Sequence, residues 1–281
     1  MSEGDAVTAV AEELVALLGS GRQVEPFSRR YEGFDLAAAY GVVEAVRARR
    51  EAAGARPLGR KIGFTNKNMW ETYRIAAPIW NYVYDRTLVE ADVEAGAAGK
   101  EAAGGRVDLA GLSEPLVEPE VAFHLCAAPR AEMSATALLN CIDWVAPAFE
   151  VVFSVFPKWD MAAADAAAAF GMHGALLLGQ RLDARANKSA LLAALADFTV
   201  TLESDDGTRR SGAGANVLGS PLAALQQLLA DLARNPDSPA LEEGEIVTTG
   251  SLTDPMPARP GAEWTASFQG IGLKPLRLHL D

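Results

Sequence analysis

Residues 116–125 read LVEPEVAFHL, an apolar run with two glutamates and a proline inside it. Side chains alternate faces along a strand. Read as a strand, the run puts Val117, Pro119, Val121, Phe123 and Leu125 on one face, and Glu118, Glu120, Ala122 and His124 on the other. The two glutamates then sit roughly 7 Å apart at Cα, and their carboxylates can lean toward one point. Like charges held that way repel unless a cation lies between them or one is protonated. The alternative is an amphipathic strand whose acidic face is solvated. Pro119 brings no ladder donor, which predicts a sheet edge, a strand start or a bulge.

A third acid is placed in the same manner. WVAPAFEVVFSVF, residues 144–156, is a second apolar run. As a strand it shows Ala148, Glu150, Val152 and Ser154 on one face, and Phe149, Val151 and Phe153 on the other. Three carboxylates in two strand-like runs suit a hard cation such as Mg²⁺ or Mn²⁺, with water or substrate oxygens completing the shell. The three histidines are His124, His173 and His279, far apart in sequence, and no cysteine joins them, which gives zinc little support. Upstream, LGRKIGFTN puts Lys61 in another strand-like run, sharing a face with Gly63 and Thr65. An inward lysine needs a partner and can then balance charge or move a proton. On a surface it would snorkel into water instead.

Composition narrows the function classes. With 281 residues and 49% hydrophobic content, the chain can bury a substantial core. A formal charge of −12 argues against nucleic acid and anionic membrane as partners. No segment reaches the ~18 uninterrupted apolar residues of a membrane span. The N-terminal stretch carries acids where a signal peptide needs base, so a cytoplasmic protein is expected. Cys126 and Cys141 are too few for a disulfide scaffold and read as reduced core residues.

The first part of the chain reads as helical, with helices near 5–19 and from Asp35, an N-cap, to Gly54. Strand-like runs follow at 58–65, 117–126, 147–154, 174–179, 198–204, 245–249, 263–269 and 271–280. Helices are predicted at 134–145, capped by Ser134, and at 221–233 after Pro221. The alanine-rich DMAAADAAAAFG resists assignment. Strands with intermittent helices and no regular βαβ rhythm predict an α+β fold. The expected organisation is a helical region over 1–57 and a core over 58–281, acting as one functional domain.

GRKIGFTN (59–66), VEPEVAFHL (117–125), VAPAFEVVFS (145–154) and GEIVTTGSLTDPMPARPGAEWTASFQGIG (244–272) together resemble the 2-keto-4-pentenoate hydratase branch of the fumarylacetoacetate hydrolase superfamily. LGSPLAALQQLLADL (218–232) adds to the likeness, which spans most of residues 10–280. The resemblance implies a mixed β-roll behind an N-terminal helical region. It implies Mg²⁺ or Mn²⁺ on Glu118, Glu120 and Glu150, an active-site role for Lys61, and a homodimer or larger homo-oligomer. It also implies a 2-hydroxy-2,4-dienoate or related 2-oxo acid substrate, with Gly63, Trp80, His173 and Ser251 as candidate contacts.

The sequence departs from the branch in three places. AAAAFGMHG (166–174) stands where a DNAS-type segment is usual, so Phe170, Met172 and His173 replace small and polar residues. IAAPIWNYVYD (75–85), with Ile79, Trp80 and Asn81, lacks the acids usual beside its proline, SVF replaces S-R after Glu150, and these departed positions are expected to line the substrate side. The expected reaction is hydration through a stabilised enolate. Decarboxylation of a 2-oxo dioate, hydrolysis of a C–C bond and a non-catalytic metal-binding role are the alternatives.

Overall fold

The computed structural model describes residues 3–67, 70, 77–95, 101–235 and 238–281. Two mixed sheets enclose the main core. The larger, nine-stranded sheet contains β1 (Pro57–Gly63), β2 (Ile79–Tyr84), β3 (Leu88–Glu90), β6 (Leu116–Leu125), β7 (Ile142–Val152), β8 (His173–Leu178) and β12 (Ile246–Thr248), in the order β2-β1-β12-β6-β7-β8-β3. Two short strands extend it: β9 (Leu182–Asp183) on β7, and β13 (Met256–Pro257) on β6. The smaller sheet holds β4 (Asp92–Ala95), β5 (Glu101–Val107), β10 (Thr199–Ser204), β11 (Arg209–Ala213), β14 (Glu263–Gln269) and β15 (Leu276–Leu280). The α+β architecture and the roll expected from the sequence are both present.

The large sheet curls into a half-barrel in which β2 comes against β8. Its inner face is filled by a small cluster that includes Val83, Ala122, Ala146, Ala148, Leu176 and Ile246. Alanines suit this position because the concave side of a tightly curved sheet leaves little room. The outer face meets the second sheet. Val117, Val121, Phe123 and Leu125 pack there with Phe149, Val200, Leu202 and Leu278. The alternation read from residues 117–125 therefore holds, apolar side outward to the core and acidic side inward.

The helices close the ends. α1 (Glu3–Leu17) and α3 (Leu36–Ala52) flank the short α2 (Phe27–Arg30). Asp35 caps α3, its carboxylate accepting from the Ala37 and Ala38 amides. α4 (Ala135–Leu139) and α6 (Lys188–Asp197) lie beside α7 (Pro221–Arg234). α7 is capped by Ser220 and started by Pro221, and its leucines at 222, 225, 228, 229 and 232 are buried. α5 (Ala163–Ala168), from the alanine-rich stretch, packs on α3. Ser28 donates to buried Asp165, which ties α2 to α5.

Some boundaries differ from expectation. The helix predicted over 134–145 stops at Leu139, and β7 begins at Ile142. Its residues pair with β6 along the whole strand, and that ladder outweighs local helix preference. The strand predicted over 271–280 starts only at Leu276. Pro119 is at neither an edge, a strand start nor a bulge. β12 pairs with residues 122–124 of β6 and β13 with residues 116–117, so Pro119 falls in the gap between them. There its carbonyl accepts from the Leu252 amide, and its missing N–H costs no ladder bond. Ile75 and Ala76 of the IAAPIWNYVYD stretch lie outside the described residues.

Candidate metal and active site

The acidic side chains meet because of the β6–β7 register. Glu118 pairs directly with Glu150, and Glu120 lies opposite Ala148. One carboxylate oxygen from each of Glu118, Glu120 and Glu150 lies within 4.8 Å of the others. Among the described residues, no other three His, Cys, Asp or Glu side chains converge so closely. Glu120 and Glu150 are fully buried, while Glu118 keeps an edge on a cleft.

Each carboxylate is held differently. Glu120 Oε2 accepts from the Gly250 amide at 2.9 Å, and its Oε1 has no partner. Gly250 has φ +103°, and a Cβ there would collide with Thr65, so only glycine brings this amide so close. Glu150 Oε1 meets His173 Nδ1 at 2.7 Å. Glu150 Oε2 lies 3.1 Å from Lys61 Nζ, an ion pair outside hydrogen-bond geometry, so this oxygen too has no hydrogen-bond partner.

Lys61 is 3% exposed and points inward, donating from Nζ to the Gly171 carbonyl at 2.8 Å. The surface reading of this lysine is thus excluded. β1 sets it opposite Asn81 of β2 and Thr248 of β12. Burial acts to lower its pKa, but Glu150, Glu118 and Glu120 outweigh that and raise it, so the amine is an ammonium. Burial drives Glu118 up to about 7 against the pull of Lys61, and drives Glu120 well above its ordinary range. Burial also opposes Glu150, but Lys61 and His173 outweigh it and hold that carboxyl low.

Three carboxylates face one ammonium, and two buried carboxylate oxygens lack hydrogen-bond donors. An all-oxygen donor set with surplus negative charge fits a hard divalent cation. The cleft beside it is walled by Gly63, Phe64, Leu116, Val152, Trp159 and Ser251. Phe64 and Trp159 have φ near +57°, and Met172, on the same rim, has φ 65°. Non-glycine residues in this region are costly, and such strain gathers at functional sites.

Gly63 and Ser251 both border the cleft, and the Ser251 hydroxyl donates to the Thr253 carbonyl. Trp80 does not border it. It lies on the opposite face of β2, 2% exposed, stacked on Tyr40 and edge-on to Tyr82. β2 is buried on both faces, so apolar character could not reveal its phase. Asn81, its neighbour, is the residue on the site side. Its Nδ2 donates to the Ala167 carbonyl and its Oδ1 accepts from the Tyr82 amide. Its register opposite Lys61 separates it from Trp80, with which it was expected to share that side. His173 also differs from expectation: it lies behind Glu150, 3% exposed, and is not part of the cleft wall. Phe170 stacks on Phe153.

No family model matches the sequence. The chain is 30% identical over 265 residues to 2-keto-4-pentenoate hydratase 1 of Dechloromonas aromatica, covering 94% of each chain. It is 26% identical over 273 residues to 2-hydroxyhexa-2,4-dienoate hydratase of Comamonas testosteroni, covering 97% of each. Its fold matches that of 4-oxalocrotonate decarboxylase from Pseudomonas putida G7, solved with magnesium and adipate, at TM-score 0.86 and 23% identity over 100% of this chain and 99% of that one.

Proposed function

The chain belongs to the 2-keto-4-pentenoate hydratase family, and from that premise we propose that it is a divalent-metal-dependent lyase adding water to a 2-hydroxy-2,4-dienoate to give a 4-hydroxy-2-oxo acid. The observation that carries this reading is the convergence of Glu118, Glu120 and Glu150 beside the buried Lys61, with carboxylate oxygens left over for a cation. These three glutamates would hold Mg²⁺ or Mn²⁺. When bound, such an ion supplies Lewis-acid stabilisation of negative charge on the 2-oxo oxygen.

The chain's own residues supply the rest. Lys61, as an ammonium at the floor of the cleft, gives a proton from Nζ to carbon as the dienol becomes the ketone and takes back the proton that leaves the 2-hydroxyl, so none is gained or lost. Water then adds across the double bond conjugated with the ketone, its oxygen bonding the distal alkene carbon and one of its protons ending on the carbon beside the carbonyl. Gly63 keeps the approach to the amine open, because a Cβ there would stand 3.4 Å from Nζ. Ser251 borders the same opening and is a candidate to orient the substrate's carboxylate. Phe64, Leu116, Val152 and Trp159 exclude bulk water around the unsaturated tail. Among the described residues, the cleft wall holds no arginine and no lysine other than Lys61 to pair with a second carboxylate. Hydration of a monocarboxylic dienoate is the reaction proposed, with decarboxylation of a dioate as its alternative.

The helical region 1–57 and the core 58–281 act as one functional domain in this reading, since α3 packs on α5 just ahead of the Gly171 turn. Assembly into homodimers or larger homo-oligomers and a cytoplasmic setting accompany it. No described helix is long and apolar enough to cross a membrane. The test compares kcat/KM for a 2-hydroxy-2,4-dienoate and the matching dioate with Mg²⁺ present, identifying products by NMR. The expected result is a preference for the monocarboxylate with a 4-hydroxy-2-oxo acid as product. A preference for the dioate with release of CO₂ would overturn hydration.

A further inference from the structure

His173 reaches Glu150 through an irregularity in the sheet. Along β7 and β8, Glu150 pairs with Leu176 and Val151 with Ala175, but Val152 pairs with His173, so the register shifts at Gly174. A Cβ at Gly174 would stand 2.8 Å from the Val151 carbonyl oxygen, so the shift requires glycine there. Strict alternation from Leu176 would turn residue 173 away from the half-barrel interior. The bulge instead brings its imidazole to the Glu150 carboxylate.

Both ring nitrogens are engaged. Nδ1 lies 2.7 Å from Glu150 Oε1, and Nε2 lies 2.8 Å from Thr87 Oγ1. Thr87 follows β2 in a tight turn, its hydroxyl 3.0 Å from the Tyr84 carbonyl and its own carbonyl accepting from the Leu176 amide. Thr87 can donate to Nε2 or accept from it. In either case Nδ1 must carry a hydrogen to bond a carboxylate.

We propose that His173 is a positioning residue for Glu150: its Nδ1–H fixes Oε1 and leaves Oε2 as the oxygen presented to a divalent cation. This rests on the reading that the three glutamates hold such an ion. Without the imidazole, Oε1 would be a third buried carboxylate oxygen with no donor, and the group could rotate about its Cγ–Cδ bond. Partners that orient metal ligands typically carry a 10–100-fold effect on metal affinity.

The test uses the full chain. Mn²⁺ affinity is measured calorimetrically for wild type, His173→Leu and His173→Asn, with thermal melts of each metal-free protein. An asparagine amide N–H reaches about the place of imidazole Nδ1, whereas leucine fills similar volume without a donor. The expected result is an affinity loss of about 10–100-fold in His173→Leu, with most of it recovered in His173→Asn. Wild-type affinity in a folded His173→Leu would overturn the positioning role, as would equal loss in both variants. A wild-type protein that binds no Mn²⁺ would instead overturn the metal reading beneath it. A second measurement needs no variant at the site. In ¹⁵N-histidine-labelled wild-type protein, Nδ1 of His173 should bear a bonded hydrogen, and its resonance should move on Mg²⁺ addition. A bare Nδ1 would overturn the proposal even if His173→Leu failed to fold.

Discussion

Two buried cations stand side by side in β1, in opposite electrostatic settings. Arg60 points to the outer face of the half-barrel, 3% exposed, with Nη1 2.7 Å from Glu245 Oε2 and its guanidinium 3.9 Å from the Tyr82 ring centre. One cation there meets one carboxylate and an aromatic face. Lys61 points to the inner face and meets three carboxylates. The first arrangement is balanced and reads as structure. The second gathers three carboxylates around one ammonium at a place where burial penalises their charge, and the proposed function reads that set as the ligands of a divalent cation. The difference shows that a buried ion pair alone does not mark a functional site.

Breaking the unbalanced side should cost activity most. If the Lys61 amine transfers the proton, Lys61→Met is expected to lower kcat by about 10²-fold or more. A Lys61→Met protein that turns over at the wild-type rate would return the lysine to charge balance alone. Breaking the balanced side should cost stability. Arg60→Met strands Glu245, whose carboxyl burial already pushes upward against Arg60, at an expected loss of about 2 kcal/mol. That is below the usual range for a wholly buried pair because Glu245 keeps 16% exposure. kcat should stay within about twofold. Denaturant melts beside steady-state rates check both, and an Arg60→Met enzyme that is stable but slow would erase the distinction.

The smallest effect sharpens the contrast through pH. In metal-free protein Glu118 is raised from 4.5 to about 7, and Glu120 is raised further. Between those values the folded state binds more protons than the unfolded chain, so these two groups lose stability for the fold as pH rises. Glu150 is held low and acts in the opposite sense, contributing stability that fades as pH falls through its ordinary range. The expected outcome is a metal-free Tm that declines from about pH 5.5 to about pH 8, flattened when Mg²⁺ is present. A Tm that rises over that window with no metal would contradict the surplus of charge.

How much of this was legible in the sequence depends on periodicity. Alternation put Glu118 and Glu120 on one face of β6, and Glu150 on the face of β7 that also carries Ala148 and Val152; the β6–β7 register is what sets them on a common side. Lys61 was legible because a lysine amid strand residues is unusual. Asn81 was legible only as one of three positions, with Ile79 and Trp80, expected on the substrate side, since both faces of β2 are buried and hide its phase. His173 was legible as a residue but not in its role, because only the shift at Gly174 turns it toward Glu150. β5, with its EAAGGRV sequence, has little strand character and exists by pairing with β15 and β4. These are pairing and register effects, and they need the partner strand to be read.

The central claim is that Glu118, Glu120 and Glu150 form one divalent-cation site on which activity depends. Calorimetric titration of chelator-treated protein with Mg²⁺ or Mn²⁺ tests it most directly, run on wild type and on Glu118→Gln, Glu120→Gln and Glu150→Gln. Each substitution keeps the shape and removes one anionic ligand. The expected result is a cation bound by wild type, weakened binding in every variant, and dienoate turnover largely abolished in all three. Unchanged metal affinity across the three variants would contradict the account.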